Sequence, residues 1–213
     1  MRTEALVEAL SRDLKPVRPQ SALRDAIVLC VVAVVELAAF FGAGLMRPDM
    51  HHAMHMPSFW WKMASMGVVA VSSATVALLS AHPTRSPRAG LRWLAMCIAA
   101  VFATGWLVDS MHDGFGELLK RLDWEMGIQC TWKMVVLSVP SVVALGVLIR
   151  RGAPTDRFGT SLAAALGSAA WGAFIFVFAC PSDDALYIAV WYSVGCGIVT
   201  LFGRSILARL FRW

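Results

Sequence analysis

Charge is what this sequence has least of. Only 15% of its 213 residues are Asp, Glu, Lys or Arg, against about a quarter in an ordinary soluble domain. With 58% hydrophobic residues and a mean hydropathy of +0.65, the chain reads as an all-α integral membrane protein. The first 25 residues, MRTEALVEALSRDLKPVRPQSALRD, hold no apolar run long enough for a signal peptide, so the N-terminus is expected to stay in the cytoplasm. The five cysteines include no CxxC and no zinc spacing. The net charge of +5 is not gathered into a basic stripe with interleaved aromatics, so direct binding of nucleic acid is not expected. No long internal repeat is visible.

What the chain does have is apolar runs of spanning length. A membrane helix needs about 20 mostly apolar residues. Six segments meet that need, near Ala26–Met46, Phe59–Ala81, Leu91–Asp109, Thr131–Leu148, Gly159–Ala179 and Leu186–Leu207. With both termini cytoplasmic, fourteen of the nineteen basic residues fall on the inner side, as the positive-inside rule demands. Arg47, Lys62, Lys120, Arg121 and Lys133 are left outside. The expected architecture is a six-transmembrane-helix bundle over residues 26–213. A cytoplasmic segment, residues 1–25, precedes it.

The outer loops differ in character. The first, RPDMHHAMHMPS, sets His51, His52 and His55 among methionines. Imidazole and thioether together suit copper, and a polar loop that tolerates histidine is the blander reading. In the second, Phe115, Leu118, Leu119, Leu122 and Met126 recur at helical spacing, which predicts an interfacial amphipathic helix. The third is the short turn Cys180-Pro181-Ser182-Asp183-Asp184, whose acids are expected to keep it in water. Tyr187, Trp191 and Tyr192 just beyond are expected to join Trp60, Trp61, Trp106 and Trp132 in an aromatic belt.

Cys130 stands at the outer start of the fourth span and Cys180 at the outer end of the fifth. If those helices are antiparallel neighbours, the thiols share a depth and can approach the Cα separation of a disulfide, about 5.5–6 Å. As thiolates they equally suit a soft metal; as free thiols they simply pack. Cys30, Cys97 and Cys196 read as small buried hydrophobes. Glu36, central in the first span, reads as a carboxyl hydrogen-bonded to a neighbouring helix. Ala164, Ser168 and Gly172 form a small-residue ladder in the fifth span, suited to close helix packing.

At the N-terminus Leu6, Val7, Leu10 and Leu14 fall on one helical stripe, begun by Thr3 as cap and ended by Pro16. So short a helix is not stable alone in water, so its stripe must bury against something. Glu4, Glu8 and Asp13 disfavour an anionic bilayer surface. A groove on a protein partner suits it better.

Several of these stretches resemble one family. RTEALVEALSRDLKPV, the RPD…P.FWWK around the first outer loop, SVPSVVALGVLIRRGAPT, CPSDDALYIAVWY and the terminal RSILARLFRW are similar to the negative regulator of sigma F (NrsF) family of integral-membrane anti-sigma factors. The resemblance implies six transmembrane helices in a bacterial inner membrane. It implies a cytoplasmic N-terminal segment that captures an extracytoplasmic-function sigma factor, here through Leu6, Val7, Leu10 and Leu14. It also implies an outward cysteine pair used in sensing, mapping onto Cys130 and Cys180. The turn departs from the family pattern, with Ala179 and Ser182 where a histidine and a glutamate are common. The histidines of MHHAMHM lie outside the pattern. A regulator is therefore expected, not an enzyme. It would have no resident cofactor beyond a transient metal ion, and its partners would be a sigma factor and the lipid bilayer. The alternative is a small transporter or binder of copper or another soft metal.

Overall fold

In the computed structural model the described residues are 21–110 and 122–211, together with residues 3, 7, 8 and 11. They are helical throughout, with no strand among them. In chain order the helices are α1 (Ala22–Gly42), α2 (Met50–Ala53), α3 (Pro57–Ser80), α4 (Arg88–Ser110), α5 (Trp124–Arg150), α6 (Arg157–Phe176) and α7 (Ala185–Leu210). Of these, α1, α3, α5, α6 and α7 are long and apolar enough to cross a membrane. The third expected span corresponds to α4, a helix of 23 residues.

Local chemistry explains where the helices begin and end. Runs such as Val31-Val32-Ala33-Val34-Val35 would weaken a helix in water. In an apolar medium the backbone must satisfy its own hydrogen bonds, and helix is the local solution. The side chains of Ser21, Asp123, Asp156 and Asp184 each accept a backbone N–H at the start of α1, α5, α6 and α7. Gly44 follows α1 with φ at +66°, a conformation that carries no penalty for glycine.

Two apolar clusters establish the antiparallel order. One gathers Phe59 from the start of α3, Cys130 and Met134 from the start of α5, Phe176 from the end of α6 and Tyr187 from the start of α7. The other gathers Leu78, Ile149, Ala164 and Leu207 from the opposite ends of the same helices. The central element is α6, with 72% of its most apolar window buried, against 11% for α1. Its small residues make this possible. A Cβ on Gly172 would lie 2.8 Å from the Ser138 backbone nitrogen of α5. One on Gly167 would lie 3.1 Å from the Ala74 nitrogen of α3. The ladder Ala164, Ser168 and Gly172 is buried, as its spacing predicts.

Several expectations change. The first span starts at Ala22 and stops at Gly42 rather than running Ala26–Met46. The fourth starts at Trp124, well before Thr131, because Asp123 caps it. That helix takes Met126, and Leu122 lies in a turn, so neither belongs to a separate interfacial helix; residues 111–121 lie outside the described residues. Tyr187, Trp191 and Tyr192 are not a belt. They are 2%, 5% and 2% exposed and form part of the core. Trp191 donates its indole N–H to the Leu122 carbonyl at 2.7 Å and packs so closely over α5 that only glycine fits at Gly127. Cys30 is exposed on α1 rather than buried.

Candidate functional site

The chemistry collects where the α6–α7 turn meets the start of α3 and the loop after α1. Arg47 is 4% exposed and Lys62 is 0% exposed. Nothing short of strong partners holds two cations out of water. Arg47 has them. Its Nε and Nη2 donate to the two carboxylate oxygens of Asp49 at 2.7 and 2.6 Å. Its Nη1 and Nη2 donate to the two oxygens of Asp183 at 3.1 and 3.0 Å. Nη1 also donates to the Cys180 carbonyl at 3.0 Å, and the Arg47 backbone N–H donates to the Phe178 carbonyl at 2.9 Å. Lys62 Nζ donates to the Ser182 carbonyl at 2.8 Å and to Asp183 Oδ1 at 3.1 Å. The planar guanidinium fork suits this doubly bidentate geometry.

The carboxylates respond to these charges. Asp49 is pulled down to about 2, chiefly by its hydrogen bond to Arg47. Burial works to raise the Asp183 carboxyl, but the Arg47 hydrogen bond and the Lys62 charge outweigh it and hold it below the usual carboxylate range. Asp183 therefore does not keep the turn in water: it is a half-buried counter-ion. Asp184 is the cap of α7, accepting from the Leu186 backbone N–H at 2.9 Å.

The cysteines lie beneath this cluster. Cys130 and Cys180 are both buried free thiols in one apolar cluster. Tyr187 donates its hydroxyl to Cys130 Sγ at 3.3 Å. The Cys180 thiol is pushed below its ordinary value, first by the hydrogen bond from Cys130 and, against the cost of burial, by the Lys62 ammonium. The antiparallel neighbour geometry expected of the pair is thus present.

A family profile described as negative regulator of sigma F, NrsF, matches residues 10–213. The chain belongs to the NrsF family. This NrsF chain is 28% identical over 215 residues, 100% of both chains, to the anti-sigma-F factor NrsF of Caulobacter vibrioides (strain NA1000 / CB15N). It is 25% identical over 219 residues, again 100% of both, to the probable anti-sigma-F factor NrsF of Azospira oryzae (strain ATCC BAA-33 / DSM 13638 / PS). No solved structure matches it.

The other expected residues of this NrsF protein fare unequally. His51 and His55 meet edge to face with ring centroids 5.3 Å apart. Among the described residues no three His, Cys, Asp or Glu side chains gather where a metal ion could be held. Glu36 accepts the Trp171 indole N–H of α6 at 3.0 Å, the inter-helix bond its position implies. Of the N-terminal stripe, Val7 is helical and exposed, while Leu6, Leu10 and Leu14 lie outside the described residues. Arg47 and Lys62 carry the geometry, although in the sequence they stand out only as charges expected on the outer side. The available signal was a lone lysine inside the apolar run FWWKMASM.

Proposed function

We propose that this protein is an integral-membrane anti-sigma factor that holds an extracytoplasmic-function sigma factor at the inner membrane face. A periplasmic metal or oxidative signal, sensed by Cys130 and Cys180, releases the sigma factor. The observation that carries the reading is the family match over nearly the whole chain, and it favours a regulator over a copper transporter. In this reading α4 crosses the membrane together with the five helices long and apolar enough to do so, and an even number of crossings puts both termini on one side and the Cys180 turn on the other. The N-terminal stripe Leu6, Val7, Leu10 and Leu14 docks in an apolar groove of the sigma factor. Because α1 joins that segment directly to the loop carrying Arg47, a rearrangement of the thiols has a covalent route to the sigma-binding segment. A tenfold release needs only about 1.4 kcal/mol of differential affinity between two packings.

The test is a reporter for the sigma factor's genes in the native host. Leu6→Asp and Leu10→Asp switch the reporter on without any signal, since an unpaired carboxylate in an apolar groove costs more than the roughly 2–7 kcal/mol of an uncharged polar group. Glu8→Ala changes it far less. Equal derepression by all three variants sinks the stripe as the contact. Normal induction by oxidants in a Cys130→Ser/Cys180→Ser double variant sinks the thiol pair as sensor. Soft metal ions tested on a variant lacking His51, His52 and His55 decide whether the histidine loop takes part.

A further inference from the structure

The two thiols are chemically unlike, and the difference is built by residues that no sensing role has been attached to. Cys130 Sγ receives a hydrogen bond from Tyr187. The Cys180 side has a cation instead. The Ser182 carbonyl accepts from Lys62 Nζ at 2.8 Å and from the Cys180 thiol at 3.7 Å. Ammonium and sulfur therefore cannot be farther apart than those two distances laid end to end. Lys62 is 0% exposed, and its hydrogen bonds to Ser182 and Asp183 use two of its three N–H groups. A fully buried ammonium is costly. Asp183 alone does not account for it, because that carboxylate is already held bidentate by Arg47.

We infer that Lys62 is the positioning residue that makes Cys180, rather than Cys130, the attacking thiolate of the pair. This rests on the reading of the pair as the sensing site and assigns roles within it. The groups that face Cys180 are Cys130 from α5, Lys62 from α3, Tyr187 and Tyr192 from α7, Arg47 from the loop after α1 and Asp183 from its own turn. Arg47 is paired with Asp49, whereas the carboxylate on Lys62 is Asp183, which it shares with Arg47, so Lys62 is the less completely balanced cation beside Cys180. The outer oxidant is a peroxide. The Cys180 thiolate attacks one peroxide oxygen, the O–O bond breaks, and Cys180 becomes a sulfenic acid as hydroxide leaves. Cys130 then attacks the Cys180 sulfur, its thiol proton leaves with the hydroxyl as water, and a Cys130–Cys180 disulfide forms. Two electrons pass from the dithiol to the peroxide.

The test uses the full-length chain in detergent micelles. The ultraviolet absorbance of thiolate is titrated, and the Cys180→Ser curve is subtracted to isolate Cys180. The Lys62→Met variant shifts the Cys180 midpoint upward by about one pH unit or more, and Lys62→Arg restores it towards wild type. An unchanged midpoint in Lys62→Met, or no recovery in Lys62→Arg, overturns the assignment. The second measurement needs no Lys62 variant. Brief exposure to methyl methanethiosulfonate, in which thiolate displaces methanesulfinate to leave an S-methylthio group, is followed by peptide mapping. Label arriving first at Cys180 supports the inference, and label arriving first at Cys130 overturns it. Both readouts are independent of any sigma factor. A protein with a low Cys180 midpoint that never binds a sigma factor loses the anti-sigma reading and keeps the Lys62 role; the reverse outcome loses the Lys62 role alone.

Discussion

At the residue scale, the unusual feature is a pair of cations sealed from water by two aspartates. Removing one member of a buried pair leaves the other uncompensated, which costs about 3–5 kcal/mol. Asp183→Asn removes the carboxylate on Lys62 and leaves Arg47 with Asp49 alone, so it is expected to lower thermal stability in detergent by that order. Asp184→Asn keeps a capping side chain and is expected to stay within about 0.5 kcal/mol of the parent. Circular-dichroism melts of the two variants check this; equal losses would mean the cluster is not a unit. The pH dependence has a definite sign. Both carboxyls have folded pKa values below their unfolded ones, so their stabilisation is present above the ordinary value, about 3.9. It is lost as pH falls through the folded value, about 2 for Asp49. Melting temperature is therefore expected to hold down to about pH 4 and then to drop toward pH 2. The drop should be smaller in Asp183→Asn.

At the scale of elements, the close approach of α6 to α5 and α3 depends on residues without bulk. A Cβ at position 172 would meet the Ser138 nitrogen and the Met134 carbonyl oxygen at 2.8 and 2.9 Å. These are backbone atoms, which cannot turn aside as a side chain can. Gly172→Ala is therefore expected to force the helices apart at about 1–3 kcal/mol. A Cβ at Gly197 meets nothing within 4 Å, so Gly197→Ala is expected to be neutral or slightly stabilising. Parallel thermal melts test the contrast. In α7, Tyr187, Trp191 and Tyr192 fall at helical spacing on one face, and the sequence pattern alone suits either a belt at the membrane boundary or a core contact. Gly127 decides it, since the indole of Trp191 occupies the space a side chain there would need.

At the scale of the whole molecule, topology is the property on which the rest depends. Reporter fusions after Arg88 and Arg157 are expected to read cytoplasmic, and fusions after Met54 and Asp183 periplasmic. An inverted pattern would place the thiols in a reducing compartment and remove the oxidative signal. The molecule is also uneven. A deeply buried α6 lies at its centre and a lightly packed α1 at its margin. α1 and the loop after it contribute the Glu36–Trp171 bond and the Arg47 cluster. Of the five helices long and apolar enough to span, the one leading to the N-terminal segment is the least buried.

The amino-acid sequence by itself determined the helical class, five of the spans and the small-residue face of α6. Those follow from local composition and period, which act over a few residues and need no partner to be recognised. It also placed Cys130 and Cys180 at the same end, because alternating spans leave little freedom. Boundaries at Gly42 and Trp124 were misread because hydropathy does not mark where Asp123 caps a helix or where Gly44 turns the chain. Only the tertiary structure decided what Arg47, Lys62 and Asp183 do. They come from three segments, and Lys62 and Asp183 are 121 positions apart. A charge reads the same in sequence whether it is solvated or sealed, and its role is set by which counter-charge the packing of helices brings within hydrogen-bond reach.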